Sequence, residues 1–84
     1  MAGADGARFS VFVSPKAGVL DPQGQAALHA LKSLGYGEVE DVRIGKYIIL
    51  TLKAGQPGEE GRVEEMCEKL LANPIIEDYR IEND

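Results

Sequence analysis

His29 and Cys67 are the only histidine and cysteine in the chain, so a Cys/His zinc centre, which takes about four ligands, cannot be built from them. Cys67 falls on the apolar helical stripe of Val63, Met66, Leu70 and Leu71, where a thiol behaves as a small hydrophobe rather than a nucleophile. His29 lies beside a second stripe, Ala27, Leu28, Leu31 and Leu34, with no serine or cysteine poised for activation, and reads as a surface or boundary residue. Glu59, Glu60, Glu64, Glu65 and Glu68 repeat at helical spacing. Such carboxylates can pair as acid and base, but a run of them is more commonly a solvated face. The glycines fail as phosphate loops. Gly55, Gly58 and Gly61 precede no Lys-Ser/Thr, and after Gly35-Tyr36-Gly37 the third glycine position holds Glu40. The expected catalytic, cofactor-binding and metal-ligating residues are therefore none.

Composition narrows the alternatives. The 84 residues make one domain at most, and 27 % charged residues with 44 % hydrophobic ones describe a chain that folds. Nine basic against 14 acidic residues give a net charge of −5, the wrong sign for affinity built on counterion release from phosphates, so no nucleic-acid partner is expected. Phe12 and Tyr47 in so acidic a setting do not make an RNA-binding platform. Aliphatic runs such as Ile48 to Leu50 fall far short of the ~18 residues that span a bilayer. Met1 to Ala7 has neither the basic start nor the apolar centre of a secretory signal. A cytoplasmic protein without membrane attachment is the expectation, in keeping with a single cysteine. A core this small is only marginally stable alone, which favours self-association or a partner.

The elements follow from periodicity. Residues 1–7 read as a flexible arm and 8–84 as the single domain. Phe9, Val11 and Val13 alternate with Ser10, Phe12 and Ser14, the period of a half-buried strand. Asp21 followed by Pro22 is a helix cap with proline at the first position, and Gly35 is placed to end that helix in a left-handed conformation. Val39 to Ile44 and Tyr47 to Leu52 are β-rich and separated only by Gly45-Lys46, which predicts a tight hairpin with Gly45 at positive φ. Val63 to Leu71 forms a second helix that Asn73-Pro74 stops, and Ile75 to Glu82 resumes strand character. The order βαββαβ predicts an α+β, ferredoxin-like sandwich, a four-stranded antiparallel sheet with both helices on one face.

Parity divides that sheet. Phe9, Val11, Val13, Val42, Ile44, Ile48, Leu50, Leu52, Tyr79 and Ile81 are expected under the helices. Phe12, Tyr47, Ile49 and Ile76 are expected on the uncovered face, where apolar side chains mark a self-association surface.

Three segments carry a resemblance: Lys16-Ala-Gly-Val-Leu-Asp-Pro-Gln-Gly24, Val42-Arg-Ile-Gly-Lys46 and Leu70-Leu-Ala-Asn-Pro-Ile-Ile-Glu-Asp-Tyr79. Together they resemble the PurS family, the small subunit of phosphoribosylformylglycinamidine (FGAM) synthase in purine biosynthesis, over nearly the whole chain from Phe9 to Glu82. The departures are a Gly/Ala-rich start and a Gly-rich approach to the second helix at Gly55 to Gly61. The resemblance implies a non-catalytic subunit that joins a glutaminase subunit to a large synthetase subunit, as a homodimer or higher oligomer. ATP and magnesium would be used by the synthetase, and no cofactor would be bound here. Lys16, Gly18, Asp21, Gln23, Gly45 and Lys46 would meet the partners. Two other classes fit the expected fold. One is a stand-alone regulatory dimer holding a small ligand. The other is an acylphosphatase-type enzyme, for which the Lys16-to-Leu20 loop lacks the arginine.

Overall fold

The computed structural model describes residues 7–53 and 58–83. The expected flexible arm lies outside them except for Ala7, whose carbonyl accepts from the Leu52 N–H at 2.9 Å and whose side chain packs against the core. The elements are β1 (Arg8–Pro15), α1 (Pro22–Ser33), β2 (Lys46–Thr51), α2 (Glu59–Met66) and β3 (Glu77–Asn83).

β1 is the central strand of an antiparallel sheet of order β2-β1-β3. Val11 faces Ile48 on one side and Ile81 on the other, and Phe12 faces Tyr47 and Arg80. Strict alternation sends Phe9, Val11 and Val13 to one face, where they are almost wholly buried against Val63 of α2 and against Cys67 and Ala72 beyond its end. Ile48, Leu50, Leu52, Leu71, Tyr79 and Ile81 close the rim of this core. The Tyr79 hydroxyl donates to Glu68 at 2.6 Å, tying β3 to the helical layer. That bond to a carboxylate, with partial desolvation, pushes the phenol up to about 12.

α2 ends by widening. Residues Cys67–Leu71 form a π-helical turn in which the Ala72 N–H reaches back to the Cys67 carbonyl at 3.0 Å. Asn73 then reverses the chain. Its Oδ1 accepts from the Ile75 N–H at 3.1 Å, and its carbonyl accepts from the Glu77 N–H at 2.7 Å.

The four-stranded, ferredoxin-like expectation is overturned: among the described residues the sheet has three strands. Residues 39–44 are apolar enough for a strand, but their polar groups are engaged elsewhere. The Val39 N–H bonds the Tyr36 carbonyl at 3.2 Å, and the Ile44 N–H bonds Asp21 Oδ2 at 2.9 Å. Val42 and Ile44 therefore leave the inner face, and no hairpin forms at Gly45-Lys46, where β2 begins directly at Lys46. Gly45 has no positive φ. It is needed for space, because a Cβ there would strike the Val13 carbonyl.

α1 departs from the expectation as well. It packs substantially on neither the sheet nor α2. With its return segment it forms a spur, residues 17–45, leaving from one end of the sheet. The molecule measures 51 × 30 × 15 Å, and its radius of gyration of 16.6 Å exceeds the roughly 12 Å of a compact chain this long.

Candidate partner surfaces

The base of the spur holds most of the expected partner-facing residues, and it is a framework of polar contacts. Asp21 caps α1 as its sequence position predicts, with Oδ1 accepting from the Gly24 N–H at 3.1 Å and Pro22 at the first helical position. Its other oxygen takes the Ile44 N–H. These two backbone donors, helped by the Arg43 charge and opposed by desolvation, hold the carboxyl below its usual range. Gly24 is obligatory beneath this cap, since a Cβ would collide with Asp21 Oδ2 and the Val42 carbonyl. Arg43, which sequence reading did not single out, donates through Nη2 to the Lys16 carbonyl at 2.7 Å and sews the two roots of the spur together.

Lys16 extends the framework to β3. Its N–H bonds the Ile76 carbonyl at 2.9 Å, and its Nζ meets Asp78 at 2.6 Å. Gly18 sits in the exposed turn after it with a φ of 82°, a conformation suited to glycine. Gln23 projects from the first turn of α1 and is exposed. The structure thus brings Lys16, Gly18, Asp21 and Gln23 to one end of the molecule, but Asp21 is buried and fully engaged. Lys46 stands apart from that group. Its Nζ donates to the Leu71 carbonyl at 3.2 Å, at the mouth of an open groove of about 390 Å³ lined by Lys69, Asn73 and Glu77 among others.

The outer sheet face gathers three of the four residues assigned to it. Phe12 and Tyr47 stack with ring centroids 4.9 Å apart, and the Arg80 guanidinium lies 4.4 Å above the Phe12 ring. Ile49 is 49 % and Tyr47 60 % exposed. Ile76 is also exposed but precedes β3 rather than lying in it. Arg80 pairs with Phe12 across the sheet, and its seat over a ring becomes visible only when the registers of both neighbours of β1 are known.

Among the described residues no three His, Cys, Asp or Glu side chains converge as a metal site. Cys67 is buried, and desolvation with the nearby Glu68 and Glu64 charges raises its thiol pKa away from the reactive range. No helix among the described residues is long and apolar enough to cross a membrane.

A thin sheet covered on one face by a short helix, with an exposed aromatic outer face and a braced spur, defines a small α+β domain. Comparison with known proteins specifies which. A family model described as PurS, phosphoribosylformylglycinamidine (FGAM) synthase, matches residues 8–84. The FGAM synthase subunit PurS of Bacillus subtilis is 57 % identical over 75 residues, 89 % of each chain. The PurS of Archaeoglobus fulgidus is 44 % identical over 84 % of this chain and 90 % of its own. A crystal structure of B. subtilis PurS superposes with a TM-score of 0.86 at 55 % identity, covering 93 % of this chain and 98 % of that one. A chain in the structure of PurLQS from Thermotoga maritima superposes with a TM-score of 0.80 at 29 % identity, covering 94 % and 98 %. The chain belongs to the PurS family, subunits of FGAM synthase in purine biosynthesis.

Proposed function

We propose that this chain is the bridging subunit of an FGAM synthase, joining a glutaminase subunit to an ATP-dependent synthetase subunit and contributing no catalytic group of its own. The observation that carries the reading is the likeness over nearly the whole chain to a component of the T. maritima PurLQS assembly. The buried Cys67, with its thiol pKa raised, is not set up as a nucleophile. ATP and magnesium belong to the synthetase in this reading, and the complex works in the cytoplasm. The physical task is geometric: two active sites held in one relation pass ammonia between them before it is protonated or lost to solvent.

Half-buried Lys16 and exposed Gly18 in the segment after β1, Gln23 in the first turn of α1 and Lys46 at the start of β2 contact the partner subunits. Asp21 and Gly45 support the same contacts indirectly, by fixing the spur and the start of β2. Phe12, Tyr47, Ile49 and Ile76 supply self-association. Co-purification with the other two subunits, with and without nucleotide and glutamine, tests the reading. A complex containing all three polypeptides is expected. A glutaminase and synthetase that associate equally well without this chain would overturn it.

A further inference from the structure

We propose that the open edge of β2 takes up an extended segment of a partner subunit as a fourth strand, and that this subunit is the one Lys46 meets. This rests on the bridging reading and deepens it, by naming the backbone surface through which the chain binds.

The two edges of the sheet are built differently. β2 and β3 flank β1, so each keeps one side unpaired among the described residues. Natural edges are commonly guarded by charge, because a row of unused N–H and C=O groups is a template for another strand. β3 follows that rule, with Glu77, Asp78, Arg80 and Glu82 along it. β2 does not. From Tyr47 to Thr51 it carries no charge, proline or glycine, only β-branched, aromatic and aliphatic side chains.

The pairing identifies the groups on offer. The Leu52 N–H bonds the Ala7 carbonyl at 2.9 Å, and the register continues through Phe9 with Leu50 and Val11 with Ile48, so Leu50 and Ile48 turn their backbone groups toward β1. Tyr47, Ile49 and Thr51 turn theirs outward. The side chains of these three stand on the outer sheet face, perpendicular to the edge, so self-association through that face leaves their backbone groups open. Lys46 begins the same strand, with its Nζ at the Leu71 carbonyl. A segment laid along Tyr47 to Thr51 is therefore continuous with the Lys46 contact. The faces it extends set its chemistry: uncharged, extended, and apolar at the alternate positions that flank the half-buried Ile48 and Leu50.

Hydrogen exchange on the assembled complex tests this directly. The chain is mixed with the glutaminase subunit, the synthetase subunit or both, with and without nucleotide and glutamine. Exchange at the Tyr47, Ile49 and Thr51 amides is expected to slow at least tenfold in the complex, while the outward amides of Tyr79 and Ile81 on β3 change little. Thr51→Pro removes an outward N–H and no bond to β1, so it is expected to fold and self-associate as the wild type does. It should weaken binding at least tenfold, and toward the same subunit that Lys46→Glu weakens. Thr51→Lys repeats the test if circular dichroism shows that the proline variant is unfolded. If neither subunit binds the chain, the bridging reading falls and this proposal with it. If the complex forms with the β2 amides unprotected, or with β3 protected instead, the bridging reading stands and the proposal is overturned. Protection of β2 in the chain alone that fades on dilution would assign the edge to a second copy and overturn it too, as would wild-type binding by a folded Thr51→Pro.

Discussion

Asp21 Oδ2 accepts the Ile44 N–H at 2.9 Å across 23 positions of sequence, while Oδ1 caps α1 on the Gly24 N–H. One carboxylate thereby starts a helix and withdraws from the sheet the segment that its sequence marks as a strand.

Asp21→Ala is therefore expected to cost more than a lost cap, lowering the melting temperature by at least the ~4–8 °C that such a loss causes in a domain of this size. The carboxyl has a folded pKa below its ordinary value of 3.8. Its contribution is then fully present above that value and is lost as pH falls through the folded pKa. The stability gap between wild type and Asp21→Asn should shrink in acid-denaturation curves taken below about pH 4. A gap that stays constant down to pH 2 would show that the charge of Asp21 is not involved.

Gly45 is expected to resist even alanine. The obstacle is the Val13 carbonyl, a backbone atom in the central strand that cannot rotate away. Gly45→Ala should destabilise by about 1–3 kcal/mol, the usual cost of overpacking, read from denaturant midpoints. By contrast Gly18→Ala meets open space and bears only the left-handed conformation, so a smaller loss is expected, on the order of 1–2 kcal/mol. Equal tolerance at the two glycines would contradict the close approach of Gly45 to β1.

Lys46→Glu separates folding from assembly. The lysine is exposed and holds the Leu71 carbonyl at 3.2 Å, a contact of little weight at the surface, so melting should change by no more than a few degrees. If Lys46 faces a partner subunit, reversing its charge should weaken assembly and make it more salt-sensitive. Wild-type affinity for both partner subunits in a titration at low salt would remove Lys46 from the interface.

Much of the architecture was legible in local chemistry. The alternation from Phe9 to Ser14 marks β1 and assigns its faces, and Asp21-Pro22 with Gly35 sets the ends of α1, where Gly35 indeed has a φ of 104°. The apolar grouping of Phe12, Tyr47 and Ile49 also follows from parity. What local pattern could not supply was competition. Val39 to Ile44 has strand composition, but a strand exists only if its N–H groups find a ladder, and a side chain 23 residues away took the one at Ile44. Gly45 illustrates a related ambiguity: glycine signals either a positive φ or a close approach, and only the position of Val13 decides between them. The π-helical turn at Cys67–Leu71 has no sequence signature in this chain, and Arg43 looked like any other surface arginine until the Lys16 carbonyl appeared beside it.

The bridging role is tested most directly by titrating this chain into its glutaminase and synthetase partners and following glutamine-dependent FGAM formation. The account predicts no glutaminase or ATP turnover by the chain alone, and glutamine-dependent synthesis that rises with added chain to a plateau at fixed stoichiometry. Synthesis driven by ammonia should meanwhile change little. Full glutamine-dependent activity in its absence, or turnover of glutamine or ATP by the purified chain alone, would contradict the account.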